Sequence, residues 1–259
     1  MLITDKLKKT AIIASLGLVA SMLAVTGLAS AENMANSTQT TTSRPSVDAT
    51  SSATQQQHLK NIISKGDQEI TRRLATLNKL DSVINSADKL SAADKATLTS
   101  QVNDEITNLT NMKSQLDAET TLTGAVADAK SVISDYRVYA LIVPKVYLVK
   151  TADDQQAIET KLTTLSQKLQ TRVSAAQTAG KDVSSMQAKL SDMNSKIAAA
   201  QSLSTTIESA VINLQPTDYD SNHSVLSGDR TQLQTARSDL QTAYNDAKSI
   251  VNSLENLGT

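Results

Sequence analysis

Residues 183–214 read VSSMQAKLSDMNSKIAAAQSLSTTIESAVINL. Val183, Leu190, Ile197 and Val211 recur on one heptad position, with Ser204 as the polar exception. Met186, Met193, Ala200, Ile207 and Leu214 recur on the other. Spacings of three and four place both sets on one stripe of an α-helix. Some thirty such residues would reach roughly 45–50 Å at 1.5 Å per residue. Pro216 ends the pattern, because proline lacks the backbone donor that a helix interior needs. A narrow apolar stripe of this length has to be covered by other helices.

Similar stripes flank it. After a polar loop, Leu233, Ala236, Leu240, Ala243, Ala247, Ile250, Leu254 and Leu257 repeat the spacing. Upstream, Ala179-Gly180 reads as a C-cap, preceded by Ile158, Leu162, Leu165, Leu169 and Val173, with a cap-like Thr151-Ala152-Asp153-Asp154 before them. Leu98, Val102, Ile106, Leu109, Met112 and Leu116 follow the capping-box-like Ser91-Ala92-Ala93-Asp94. Ile63, Ile70, Leu77 and Ile84 form the first seam. Thr121 to Gly124 marks a further boundary, after which Val126, Ala129, Val132, Ile133 and Tyr136 lead into the middle of the chain. The expectation is an all-α fold: an elongated antiparallel helical bundle, or coiled-coil hairpins, over residues 58–257. Helices are expected near 58–90, 92–119, 123–143, 152–179, 182–214 and 221–257.

Composition agrees. The chain has 259 residues, no Phe, Trp or Cys, and 2% aromatic residues, so large rings contribute little to its core. Its net charge of -1 and the lack of a basic block outside the N-terminus argue against nucleic acid as a partner. Without cysteine there are no disulfides, and helix packing alone must hold the fold.

The first 31 residues read as a signal peptide. Lys6, Lys8 and Lys9 precede an apolar segment from Ala11 to Leu28, and Ala29-Ser30-Ala31 supplies the small-x-small cleavage pattern. Cleavage is expected after Ala31, giving a secreted or cell-surface protein. The alternative is an uncleaved segment that anchors the chain to the membrane. Residues 32–57 are a Ser/Thr-rich linker, expected to be disordered because it has too little apolar surface to offset its ordering entropy.

Groups that carry chemistry are scarce. His58 and His223 have no second histidine at helical spacing, and no thiol nucleophile or G-x-S-x-G turn occurs. Neither a P-loop nor a dinucleotide fingerprint is present. The sequence therefore predicts no catalytic residues, no cofactor and no enzyme activity. One stretch resembles a calcium loop: Asp218, Asp220 and Asn222 at positions 1, 3 and 5, with Asp229 at position 12. His223 at position 6, where the turn requires glycine, counts against it, and an N-cap at Asp220 or Ser221 accounts for the same residues.

The central run DYRVYALIVPKVYLVK, Asp135 to Lys150, holds three of the five tyrosines. Pro144 is expected to stop or kink a helix near Val143. Tyr136, Arg137, Tyr139, Leu141, Pro144 and Tyr147 are the candidates for contact with a partner or a membrane. Burial of Tyr139, Leu141 and Tyr147 is expected, with the run serving as a crossover inside the bundle. An apolar tongue over residues 138–149, too short to span a membrane, is the alternative.

The segment Asp135 to Leu141, together with the Gln177 to Val183 turn QTAGKDV, resembles a group of uncharacterised exported all-helical bacterial proteins. The resemblance implies class and location and carries no activity. The functional expectation is a non-enzymatic structural or interaction protein of the bacterial cell surface or its surroundings. Its partner would be a protein or another envelope component, and self-association through the same seams is allowed. A membrane-active helical protein using the central segment is the alternative, and a calcium-dependent binding module a weaker one.

Overall fold

The structure, a computed structural model, describes residues 49–258. The expected signal segment 1–31 and residues 32–48 of the expected linker lie outside the described residues. Six α-helices are found among the described residues: α1 (Ala49–Ser86), α2 (Ala92–Asp117), α3 (Leu122–Ser134), α4 (Val143–Thr178), α5 (Ser184–Val211) and α6 (Tyr219–Asn256). A π-helical turn, Val138–Ile142, precedes α4, and a 3-10 turn, Pro216–Asp218, precedes α6. The fold is all-α.

The heptad residues become the buried ones. On α5, Met186, Leu190, Met193, Ile197, Ala200, Ser204, Ile207 and Val211 are all buried. On α6 the buried face runs Leu233, Ala236, Leu240, Ala243, Ala247, Ile250 and Leu254. The polar exception Ser204 is paid for by a partner: its hydroxyl donates to Glu159 Oε1 on α4 at 2.8 Å, and also to Ala200 O at 3.1 Å. A buried carboxylate and a buried hydroxyl thus satisfy each other across a helix interface.

The helices pack in two groups of three. α1, α2 and α3 lie against one another, as do α4, α5 and α6, and α1 also touches α4. Polar pairs give the directions. Lys113 pairs with Asp67 at 3.0 Å, and Lys95 donates to Asn85 O at 3.0 Å, so α1 and α2 are antiparallel. Ser166 donates to Asn194 and Ser204 to Glu159, which makes α4 and α5 antiparallel. Lys189–Asp246 and Lys196–Asp239 do the same for α5 and α6.

Local signals set the helix ends. Ser91 caps α2: its Oγ accepts from Asp94 N at 3.0 Å and donates to Asp94 Oδ2 at 2.6 Å. Thr121 caps α3 by accepting from Gly124 N. At the end of α4, Gly180 takes φ 72°, and Lys181 N reaches back to Ala176 O at 3.0 Å.

Three boundaries differ from expectation. The helix expected from residue 58 already begins at Ala49, so residues 49–57 of the expected disordered linker are helical. Exposed throughout residues 52–58, this turn-by-turn extension is carried by helix propagation from the packed part of α1. The helix expected to stop at Val143 and restart at residue 152 is different again: α3 ends at Ser134, and α4 starts at Val143 and runs unbroken through Thr151 and Asp153. Pro144 sits in the first turn of α4, where its missing N–H costs nothing. In a regular helix its ring would meet the carbonyl of Ala140. The chain instead widens into the π turn, with Val143 N donating to Val138 O.

Last, the Asp218–Asp229 loop does not form. Asp220, Asn222 and Asp229 lie on α6 itself. Asp218 accepts from Gln215 N at 2.8 Å, Asn222 donates to Asp218 O, and Asp220 accepts from Arg137. His223, placed where a calcium loop needs glycine, is an ordinary helical residue stacked toward Tyr219. Helix capping and helix packing account for Asp218, Asp220 and Asn222, while Asp229 is buried on α6 with its Oδ2 lacking a hydrogen-bond partner among the described residues.

Candidate functional site

The residues singled out by the sequence meet at the junction of the two helix groups, around the link from α3 to α4. Arg137 there has φ 43° and ψ 33°, a left-handed conformation that a side chain makes costly. Its guanidinium lies 4.8 Å from the centre of the Tyr219 ring and 3.0 Å from Asp220 Oδ1, so the strained residue ties the link to the start of α6. Tyr139 points to α1. Its hydroxyl shares a 3.2 Å hydrogen bond with Thr76, and the guanidinium groups of Arg73 and Arg72 lie 5.1 and 5.6 Å from its ring centre. Arg73 is buried and pairs with Glu69. Tyr136 is half-buried and donates to Asn108 O on α2.

Leu141 is buried with Val138, Ile142, Val146, Leu148 and Val149 in a core shared with α1, α2 and α3. Pro144 is half-buried. Tyr139 and Tyr147 depart from the expected burial: Tyr139 is half-buried and Tyr147 is 38% exposed. Tyr147 falls on the outer face of α4, whose buried face carries Lys145, Val146, Leu148, Val149 and Ala152.

Lys145, in the same run, is a buried charged residue to which the sequence pattern alone gives no role. Lys145 is 1% exposed. Its Nζ donates to Gln101 Oε1 on α2 at 2.6 Å and to Leu214 O, just beyond α5, at 2.7 Å. The Gln101 amide in turn donates to Ile212 O at 3.0 Å, so one glutamine bridges the lysine and the α5–α6 turn. Glu105, one turn further along α2, is buried, and its Oε2 has no hydrogen-bond partner among the described residues. Burial pushes the Glu105 carboxyl up to about 7, against the opposite pull of the Lys145 ammonium. Burial likewise brings Lys145 down to about 8, although Glu105 and Asp218 favour its charge.

A second polar group lies on the same junction. Asp94 at the start of α2, Asp153 on α4 and Glu208 on α5 bring carboxylate oxygens within 4.8 Å of one another. Among the described residues these three have the spacing to hold a divalent cation. Their present bonds serve the fold: Asp153 accepts from Ser91 N at 2.6 Å, Asp94 from Ser91 Oγ, and Glu208 from Gln156. Burial pushes Asp153 up to about 6, with Asp94 and Glu208 adding to the rise and the Ser91 N–H opposing it.

The sequence carried a signal for these groups. Lys145 falls on the same face as Leu141, Ile142, Val149 and Ala152, Glu105 continues the seam of Leu98, Val102 and Leu109, and Asp153 lies four residues after Val149. A charge on an apolar seam marks a buried polar group. The partners stay hidden because they are 44 and 69 residues from Lys145 in the chain.

No helix of the described residues is long and apolar enough to cross a membrane. The chain matches no known family model, no curated protein and no solved structure, so no named family is assigned to it.

Proposed function

We propose that this is an exported helical protein that acts as a structural or interaction module at a bacterial cell surface or in its surroundings, without catalysing a reaction. The observation that carries this reading is the use made of its polar side chains. Lys145, Gln101, Asp153, Ser204, Arg137 and the arginines around Tyr139 each fasten one helix to another. Such a distribution suits a scaffold that holds a surface in place. The N-terminal signal pattern supplies the export part of the proposal. Packing of Leu141, Val146 and Val149 in the shared core favours a buried crossover over an apolar tongue.

The test uses the chain from residue 32 as bait on the native cell envelope, together with the Tyr147→Asp variant. Tyr147 is exposed, so this change leaves the core intact while altering the surface. Fractionation and N-terminal sequencing of the natural protein are run alongside. Export with cleavage after Ala31, and saturable binding to an envelope component, support the proposal. A chain retained in the cytoplasm, or one that turns over a substrate supplied by the envelope extract, overturns it.

A further inference from the structure

We propose that Lys145, Glu105 and Gln101 form a proton-operated latch that tightens the junction between the two helix groups on acidification. Three elements meet at one buried ammonium: α2 through Gln101, α4 through Lys145 itself, and the α5–α6 turn through Leu214 O. Gln101 adds a second bond from α2 to the same turn at Ile212 O. Beside them Glu105 is buried with an oxygen that nothing among the described residues satisfies. An ionised carboxylate in that position carries its full desolvation cost, whereas a protonated one does not. The charged and titratable groups acting on the pair are Asp104 on Glu105's own helix, Asp218 at the head of α6, and Tyr136 ahead of the π turn. Nearby Arg73 of α1 is turned to Tyr139 and Glu69.

The direction follows from linkage. In the closed junction Glu105 keeps its proton up to about 7, and once released to water it gives the proton up near its ordinary 4.5. Between those values the closed form binds a proton that the open form does not, so acid favours closure. That stabilisation is complete below 4.5 and is lost as pH rises through 7. Lys145 works in a separate window: its closed-state value of about 8 lies below its ordinary 10.5, so closure gains from alkali only above 8. Below 7 the lysine stays charged in both forms, so within the pair the carboxyl sets the slope, and Asp153 on the same junction, raised to about 6, adds to it in the same direction.

Hydrogen exchange of the full chain between pH 5 and 7.5 reads the latch directly. Protection of the segment 212–218 is corrected for the intrinsic pH dependence of exchange and normalised to the middle of α6. From pH 5 to 7.5 this protection is expected to fall by about tenfold or more, as a shift beyond one pKa unit dictates. The isosteric Glu105→Gln variant should reduce the fall to the part owed to Asp153, and Glu105→Gln combined with Asp153→Asn should abolish it. Lys145→Met removes the opposing charge and should move the midpoint of the fall to higher pH. A purely structural lysine would leave the midpoint where it is. Flat protection in the unmodified chain, an unchanged slope in Glu105→Gln, or an unmoved midpoint in a folded Lys145→Met overturns the proposal. Where Lys145→Met does not fold, the Glu105→Gln comparison decides alone.

Discussion

Gly66 and Gly180 show how differently one residue type is constrained. Gly180 has φ 72° and open space where a Cβ would stand. Alanine there meets no neighbour and suffers only from the left-handed backbone, which costs about 1 kcal/mol. Gly66 lies within α1, and a Cβ would come 2.4 Å from Leu116 Cδ2 on α2. Alanine gains about 1 kcal/mol of helix propensity there, but overpacking a buried leucine costs about 1–3 kcal/mol. Gly66→Ala should therefore lower stability by about 1 kcal/mol. Adding Leu116→Val, which removes the offending carbon, should bring the pair closer to the starting protein than either single change predicts. Urea unfolding of the four proteins checks this, and strict additivity would refute the contact. Of these two glycines the sequence disclosed only Gly180, through the C-cap pattern after Thr178. The close approach at Gly66 joins residues fifty positions apart and leaves no local mark.

At the scale of the element, capping and periodicity were legible and the start of α4 was not. Ser91 and Gly180 act as their local sequences indicate, since a cap is decided within three or four residues. Pro144 was ambiguous because the same residue ends one helix or begins the next. The apolar run on both sides of it could not distinguish them. What decides is the shared core: Val146, Leu148, Val149 and Ala152 must face α1, α2 and α3, which requires a continuous helix from Val143. If so, Pro144 contributes mainly by restricting the unfolded chain. Pro144→Ala should lower stability by only about 0.5–1 kcal/mol and leave the helical circular dichroism unchanged. A loss above roughly 3 kcal/mol would refute this, since restricting the unfolded chain accounts for no more than about 1 kcal/mol. Ser91→Ala should cost more, about 1–2 kcal/mol, because it also takes a partner from Asp94.

For the whole molecule, the all-α class followed from composition and seams, because burying a heptad stripe requires only that another stripe lie against it. The grouping of those helices into two sets of three did not follow, since equal spacing suits many pairings. Buried carboxylates give the assembled protein a pH response. Burial raises Asp153 to about 6, and raises Glu159 and Asp229 as well. For Asp153 the folded value exceeds the ordinary 3.8, so its stabilising contribution is present at low pH and is lost as pH rises through 6. Asparagine copies the protonated form and still accepts from Ser91 N. Asp153→Asn should therefore be about 1–2 kcal/mol more stable than the unmodified chain at pH 7.5, with the difference closing by pH 4. A less stable variant at pH 7.5 would show that the charge is needed, as it would be if the three carboxylates held a cation.

Among the described residues the link from Asp135 to Ile142 is the single covalent crossing between the helix groups, and the other joins are non-covalent, among them the shared core, the Lys145 and Gln101 bonds, Ser91 to Asp153, Arg137 to Asp220 and Tyr139 to Thr76. The molecule is thus organised as two halves that recognise each other, much as two subunits would. Chains split between Tyr136 and Arg137, produced together in one cell, should find each other and co-purify as a nicked equivalent of the intact protein. The same surfaces, offered by two intact copies, would let the halves trade places between molecules.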